Sequence, residues 1–400
     1  MNTVELLERV NGGESSRVQF KREITAKQSG DIAAEIVAMS NFEGGIIIVG
    51  VEDKTGEITG LSFQQIETIN NLLFNWASNN IKPAISLFTE TVPVDQKNVL
   101  VVTIPKGIDK PYCDKNMVYW IKSAANKRRI SPEELRRLYQ SAGKLYAERQ
   151  PIEDSSIADI DTKLFQDFYQ DRYQEPVNES DLNRLLSNLR LVKNNQLTLA
   201  GALLFGKNNE IILPDFYISA VWFWGNEFIT NEYRSSRNMT GHLNRQFEEA
   251  LNFTLSTLRY VQADRDFNSV GSPEVPKVVL AELLVNALIH RDYFISDSIK
   301  LFVFDNRIEI KSPGKLPNGL SVEDVKRGIQ RRSRNVVLTS FANDILPYRG
   351  IGSGILKSLQ LYPPIHFENS STGEFFKVTI ERFQTPRHLG AIRKIMKNEK

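Results

Sequence analysis

Glu282, Asn286 and His290 follow one another at intervals of four residues, so a helix stacks all three along one face. A carboxylate one turn from a carboxamide is useful chemistry. The glutamate can orient or deprotonate a water, and the asparagine oxygen can ligate a Mg²⁺ ion held by a triphosphate. Arg291, Asp292 and Tyr293 continue the segment. Farther on, Ser312-Pro313-Gly314 and Gly350-Ile351-Gly352-Ser353-Gly354 supply glycine-rich backbone, the second directly before a helical pattern over 355–361. Unencumbered N–H groups at a helix N-terminus suit phosphate. The segment is not a Walker A loop, because no Gly-Lys-Ser/Thr ends it, and it lacks the spacing of a Rossmann fingerprint. Between the glycine segments, Lys326, Arg327, Arg331, Arg332 and Arg334 could close over a triphosphate or meet nucleic acid. A solvated helix end explains them equally well.

A second candidate lies near the start, in Glu14-Ser-Ser-Arg-Val-Gln-Phe-Lys21. Apolar Val18 and Phe20 alternate with Arg17, Gln19 and Lys21, as in a strand with one packed and one open face. With Arg22, that open face is cationic and suits phosphate. Glu14 and Asp53 could instead approach one another and hold a metal. Lys122, Lys127, Arg128 and Arg129 follow Tyr119 and Trp120, a pairing of aromatic and basic groups that can stack bases and neutralise phosphates. A solvated strand, loop and helix face is the plain alternative for both clusters.

These residues need elements to hold them. The pattern predicts helices over 31–40, 64–79, 241–261 and 276–290, and one opened by Ser131-Pro132. It predicts a buried strand at Ile46–Val51, another at 98–104, and a hairpin over 112–122. Paired strands are expected at 299–304 and 307–311, joined by Asp305-Asn306. The acidic stretch 148–161 reads as a linker, and 162–240 as a small middle segment of helices and one strand.

Composition narrows the class. The 400 residues are 41% hydrophobic and 24% charged, with 50 basic against 48 acidic groups and a formal net charge of +2. That balance excludes a strongly basic polymer binder but not local basic patches. One cysteine excludes a disulfide framework and multi-cysteine metal sites. The four histidines, at 242, 290, 366 and 388, lack metal-ligand spacing. Met1–Gly13 reads as a short amphipathic helix rather than a signal peptide, and no apolar run reaches bilayer length. A cytoplasmic protein is expected.

The order Glu14-x4-Gln19-Phe20-Lys21, a helix, Asn41-x2-Gly44-Gly45, Ile46 to Asp53 and Gly56-x-Ile58-x-Gly60-Leu61 resembles the Schlafen-type AlbA-like domain. The resemblance covers about residues 10–140 and implies nucleic-acid binding. In the Schlafen branch it also implies a metal-dependent RNase centre, here Glu14, position 19 and Asp53. Position 19 is glutamine, a neutral and poor metal ligand, so binding without cleavage is the expectation. The order Glu282-x3-Asn286 to Tyr293, Asp305 to Pro317, Arg334-Asn335 and Gly350 to Gly354 resembles bacterial ATP-binding regulators labelled divergent AAA or helicase-related. It also looks like the GHKL ATPases. Leu197 to Gly206 belongs to the same resemblance, which then spans nearly the whole chain.

That likeness implies Glu282 as catalytic base and Asn286 as the Mg²⁺ ligand of bound ATP. His290, Arg291, Asp292, Pro313, Gly314, Arg334, Asn335, Gly350, Gly352 and Gly354 complete the nucleotide site. Ser312-Pro313-Gly314 stands where GHKL proteins carry the Asp of a D-x-G-x-G segment that reads adenine. Arg334-Asn335-Val336 stands for the regulators' Arg-Asn-Pro.

The expected fold is α+β. An AlbA-like domain (1–145) leads through a linker (146–161) and a winged-helix-like middle segment (162–240) to a GHKL-like α/β-sandwich (241–383) and a basic tail (384–400). Expected partners are ATP, nucleic acid with DNA ahead of RNA, and further copies of the chain, but no membrane. The expected function is a transcriptional regulator or nucleotide-gated switch. A Schlafen-like nuclease, in defence against phage, is the alternative. An assembly protein with purely structural glycine loops is a third reading.

Overall fold

Ile47, Ile48 and Val49 are fully buried because their strand, β2 (Gly45–Val49), is covered on both faces. It runs parallel to β1 (Val18–Lys21) and antiparallel to β4 (Lys97–Ile104), which pairs with β3 (Phe88–Val94) in the sheet order β1-β2-β4-β3. Leu6 and Val10 of α1 (Thr3–Asn11) pack on one face, with Val18, Phe20, Ile46 and Ile48. The other face carries Ile47, Val49, Leu100 and Val102 under α2 (Ser29–Asn41) and α3 (Phe63–Asn79). Period-two alternation therefore sends Gln19 and Lys21 to the α2 side.

The computed structural model describes residues 1–53, 55–228, 232–261, 271–317, 320–329, 333–347, 353–370 and 373–382. They fall into two compact units, Met1–Leu145 and Tyr146–Lys400. The fold is α+β, and no helix among the described residues is long and apolar enough to cross a membrane.

The hairpin expected over 112–122 sits later in the chain. Cys113 and Asp114 pair instead with Lys82 and Ile81. The hairpin joins β5 (Trp120–Ser123) to β6 (Asn126–Arg129), turning at Ala124 with φ 51°. It packs on α2. Then α4 (Pro132–Ser141) starts at a capping box between Ser131 and Glu134.

The second unit is built on a six-stranded sheet: β7 (Ile218–Phe223), β8 (Tyr233–Met239), β9 (Ile299–Val303), β10 (Arg307–Pro313), β11 (Ile365–Asn369) and β12 (Phe375–Glu381). The order is β8-β7-β9-β10-β12-β11, antiparallel except for β7 beside β9.

The middle segment is not separate from it. One apolar core runs from Ala147 to Ile380. It joins α5 (Thr162–Tyr173), α6 (Glu179–Asn188) and α7 (Leu199–Phe205) to α8 (Leu243–Ser256), α9 (Lys277–His290) and α10 (Val336–Ile345). Phe168 and Phe205 meet Phe341 of α10 at ring centroid distances of 5.1 and 6.0 Å. Nor is 146–161 a free linker. Glu148 is fully buried, and its carboxylate accepts from the N–H groups of Val337 and Leu338, each at 2.8 Å. The acid that suggested a solvated linker caps a helix N-terminus 189 residues away.

Candidate functional site

On α9 the apolar residues Leu283, Leu284, Val285, Leu288 and Ile289 are buried, which leaves Glu282 and Asn286 half-buried on the remaining stripe. The Asn286 amide nitrogen donates to the Glu282 carbonyl and to Glu282 Oε1, both at 2.7 Å. Its carboxamide oxygen is thereby turned away from the carboxylate and suits a hard cation. Gly354 opens α11 (Gly354–Leu361), and a methyl group built there would overlap the Glu282 carboxylate. The Glu282 carboxylate, the Asn286 carboxamide and the helix that follows the glycine segment thus meet at one point.

Asp292, Pro313, Gly314, Arg334 and Asn335 gather at the C-terminal end of α9. Gly314, at φ +97°, lies against Asp292 and the Arg334 guanidinium, and a Cβ would clash with both. The Asp292 N–H donates to Pro313 O at 2.8 Å, and its carboxylate accepts from Phe294 N at 3.0 Å. Arg334 approaches Asp292 at 3.7 Å and donates to Lys315 O at 2.6 Å. Asn335 is buried and donates to Ile289 O and Arg291 O, both at 2.9 Å, so it closes the helix end.

Arg291 is buried, holds the carbonyls of Ile295 and Asp297, and sits 4.9 Å from the Phe216 ring centre and 4.8 Å from that of Tyr293. Burial pulls its guanidinium below the ordinary arginine value. It pins a loop. His290 is exposed. Gly350, Gly352, Arg331, Arg332 and the tail 384–400 lie outside the described residues.

On the first unit, Gln19 donates from its amide to Glu14 Oε1, and Phe20 N donates to the same oxygen at 2.9 Å. Lys122 is completely buried. Its ammonium reaches Gln19 Oε1 at 3.0 Å, Glu35 Oε1 at 2.7 Å and Ala125 O at 2.6 Å. Lys127 bonds Asp31 at 2.7 Å and Glu35 at 3.3 Å. Burial alone would lower the Lys127 ammonium, but Asp31 and Glu35 hold it above the ordinary lysine value. Lys21 pairs with Asp53 at 2.7 Å.

Of the cations expected to meet nucleic acid, Lys21, Lys122 and Lys127 are thus committed to carboxylates. Arg17, Arg22, Arg128 and Arg129 are exposed, although Arg128 forks onto Glu134 at 2.8 and 2.6 Å, Arg22 lies 3.6 Å from Glu52 and Arg17 4.0 Å from Glu43. The acidic metal centre implied by Glu14 and Asp53 does not fit these residues. An amide and an ammonium stand among the acids, and no group of three or more metal-ligating side chains occurs among the described residues. Sequence reasoning missed Glu35 and Asp31. The available signal was two acids at i, i+4 on an otherwise apolar helix.

Residues 14–131 match the family model described as "Schlafen, AlbA_2", and residues 296–380 the model described as "Putative ATP-dependent DNA helicase recG C-terminal". The second match includes Gly314, Arg334 and Gly354 and begins after Glu282 and Asn286. Among solved structures, the DIP2311 protein of Corynebacterium diphtheriae is similar at 19% identity and a TM-score of 0.46, covering 95% of this chain and 80% of that one. The N-terminal domain of a RecG-related protein from Nitrosomonas europaea is similar at 21% identity and a TM-score of 0.25, covering 33% of this chain and 95% of that one. The chain thus combines an N-terminal segment that matches the Schlafen/AlbA_2 domain with a C-terminal segment that matches a RecG-related, ATPase-type domain.

Proposed function

We propose that this is a nucleic-acid-binding protein whose second unit binds ATP with Mg²⁺ and gates that binding, as a DNA-directed regulator or switch. The observation that carries the reading is the meeting of Glu282, Asn286 and Gly354. A helix N-terminus that follows a glycine segment is seated on a carboxylate one turn from a carboxamide. Glu282 orients or deprotonates the attacking water, Asn286 contributes an oxygen to Mg²⁺, and backbone N–H groups leading into α11 receive phosphate. Arg17, Arg22, Arg128 and Arg129 give the first unit an exposed cationic surface for a phosphate backbone. The network of Gln19 and Lys122 favours binding over cleavage.

Calorimetry with Mg-ATP, beside a phosphate-release assay, tests the site. Wild type is expected to bind and slowly hydrolyse, Glu282→Ala to bind without hydrolysis, and Asn286→Ala to lose the Mg²⁺ dependence of binding. Oligonucleotide affinity should change when Mg-ATP is added. Absence of Mg-ATP binding by wild type refutes the nucleotide site, and unchanged oligonucleotide affinity refutes the switch.

A further inference from the structure

The six-stranded sheet has two unlike faces. One carries Ile218, Ile299, Leu301, Ile308, Ile310, Val378 and Ile380 into the core. On the other, register places Lys300 opposite Lys311 and Lys311 opposite Lys377. Three lysines therefore stand abreast on β9, β10 and β12, spanning about 10 Å at the usual strand spacing. Like charges directly opposite one another destabilise a sheet, so folding alone gives no reason for such a row. The flanking pair have carboxylates: Lys300 reaches Asp297 at 3.1 Å and Lys377 reaches Glu368 at 2.7 Å. Lys311 has none among the described residues, and its ammonium lies 3.9 Å from the centre of the Phe375 ring.

Along the strands from this row the face turns aromatic. Phe302 is two residues from Lys300, about 7 Å at strand rise, and Phe223, Phe228 and Phe304 cluster with it at centroid distances of 5.0 to 5.7 Å. Phe228 is 54% exposed, as is Tyr233, which stands opposite Phe223. Arg307 lies 3.8 Å from the Phe304 ring centre, and Glu309, on the same face, is taken by Arg307 at 2.6 Å.

We infer that this sheet face binds a single-stranded nucleic acid, with phosphates on the Lys300–Lys311–Lys377 row and unpaired bases against Phe228 and Tyr233. Cations and exposed rings side by side on a sheet answer to phosphates and π-faces together. A duplex buries its bases and cannot use the rings. The inference goes beyond the reading above, which places nucleic acid on the first unit, and it stands or falls separately.

The test is fluorescence anisotropy of a labelled 20-mer of thymidylate with the full chain, across a salt series. Lys311→Gln should weaken binding severalfold and reduce the salt slope by about 0.7, one phosphate contact on a single strand. The triple variant with Lys300→Gln and Lys377→Gln should reduce it by about 2. Phe228→Ala removes a half-exposed ring that packs on Phe302 and Phe304, so a thermal melt accompanies it, and binding should weaken about fivefold or more in the folded variant. Arg17→Glu with Arg22→Glu reports on the first unit in parallel.

If the first-unit variant loses binding while the triple variant and Phe228→Ala match wild type, the sheet face is not an interface and only this inference fails. The reverse pattern supports the sheet face and removes the first-unit reading. Equal competition by a 20-base-pair duplex, or no binding of the 20-mer by wild type, overturns the inference.

Discussion

Lys122 is buried among Gln19, Glu35 and the Ala125 carbonyl, with Glu14 joined through Gln19 and Asp31 through Lys127. Glu282 on α9, by contrast, is joined to Asn286 and pressed by the Gly354 backbone, and no lysine or arginine pairs with it among the described residues. Both are polar clusters against a buried helix. In the first, every charge is answered from within, and an ammonium stands where the family resemblance implies a metal. Such a network can stabilise the fold but has little left for a ligand. In the second, the carboxylate and the carboxamide oxygen remain for water and cation. Residue types alone make both clusters look catalytic, and the partner of each charge separates them.

The hardest blow to this contrast is removal of the internal cation. Lys122→Met should leave Glu35 buried with a weakened partner and destabilise the first unit by about 3–5 kcal/mol, read as a shift in its denaturant midpoint. Lys122→Met combined with Glu35→Leu should recover most of that loss, because well-packed apolar groups replace a buried pair at little cost. A loss below about 1 kcal/mol in the single variant would mean that water reaches the site, and the closed network would be no barrier to a metal.

Gly354→Ala probes the other side. The added methyl falls on the Glu282 carboxylate, so α11 must shift, at a cost of about 1–3 kcal/mol and with loss of Mg-ATP affinity. Adding Glu282→Ala removes the obstruction. The double variant should regain stability in a thermal melt but not hydrolysis. If Gly354→Ala alone leaves both unchanged, the seat of α11 on Glu282 is incidental.

Much of this was legible in sequence because local chemistry declared it. The run Ile46–Val51 read as a buried strand, which the fold realises as Gly45–Val49, Ser131-Pro132 opened a helix, and Glu282 and Asn286 shared a face by helical period. What sequence hid was partnership over distance. Nothing near Lys122 announces Glu35, 87 residues earlier, and nothing near Glu148 announces the α10 N-terminus it caps. An acidic run and a basic run read as solvated surfaces until the fold brings their opposites to them. The lysine row is hidden likewise, because Lys300, Lys311 and Lys377 become neighbours only through sheet register.

The smallest effect concerns a charge between the two extremes. Arg128 is exposed yet forked onto Glu134, and that arginine, ahead of the opposing cost of partial burial, holds the Glu134 carboxyl down at about 2. A depressed acid stabilises above its unfolded value, near 4.5, and the contribution fades as pH falls from there toward 2. At neutral pH an exposed pair of this kind is worth about 0.2–1 kcal/mol. Wild type should therefore exceed Arg128→Gln by that margin at pH 7 and match it near pH 2, in urea titrations at each pH. The pairing also sets what Arg128 can offer a phosphate. At neutral pH the carboxylate stays ionised, so any phosphate contact must compete with Glu134. Glu134→Gln should free the guanidinium and tighten oligonucleotide binding about two- to fivefold, within the range of one exposed ion pair. No change would mean that Arg128, even without its competing carboxylate, does not meet the oligonucleotide.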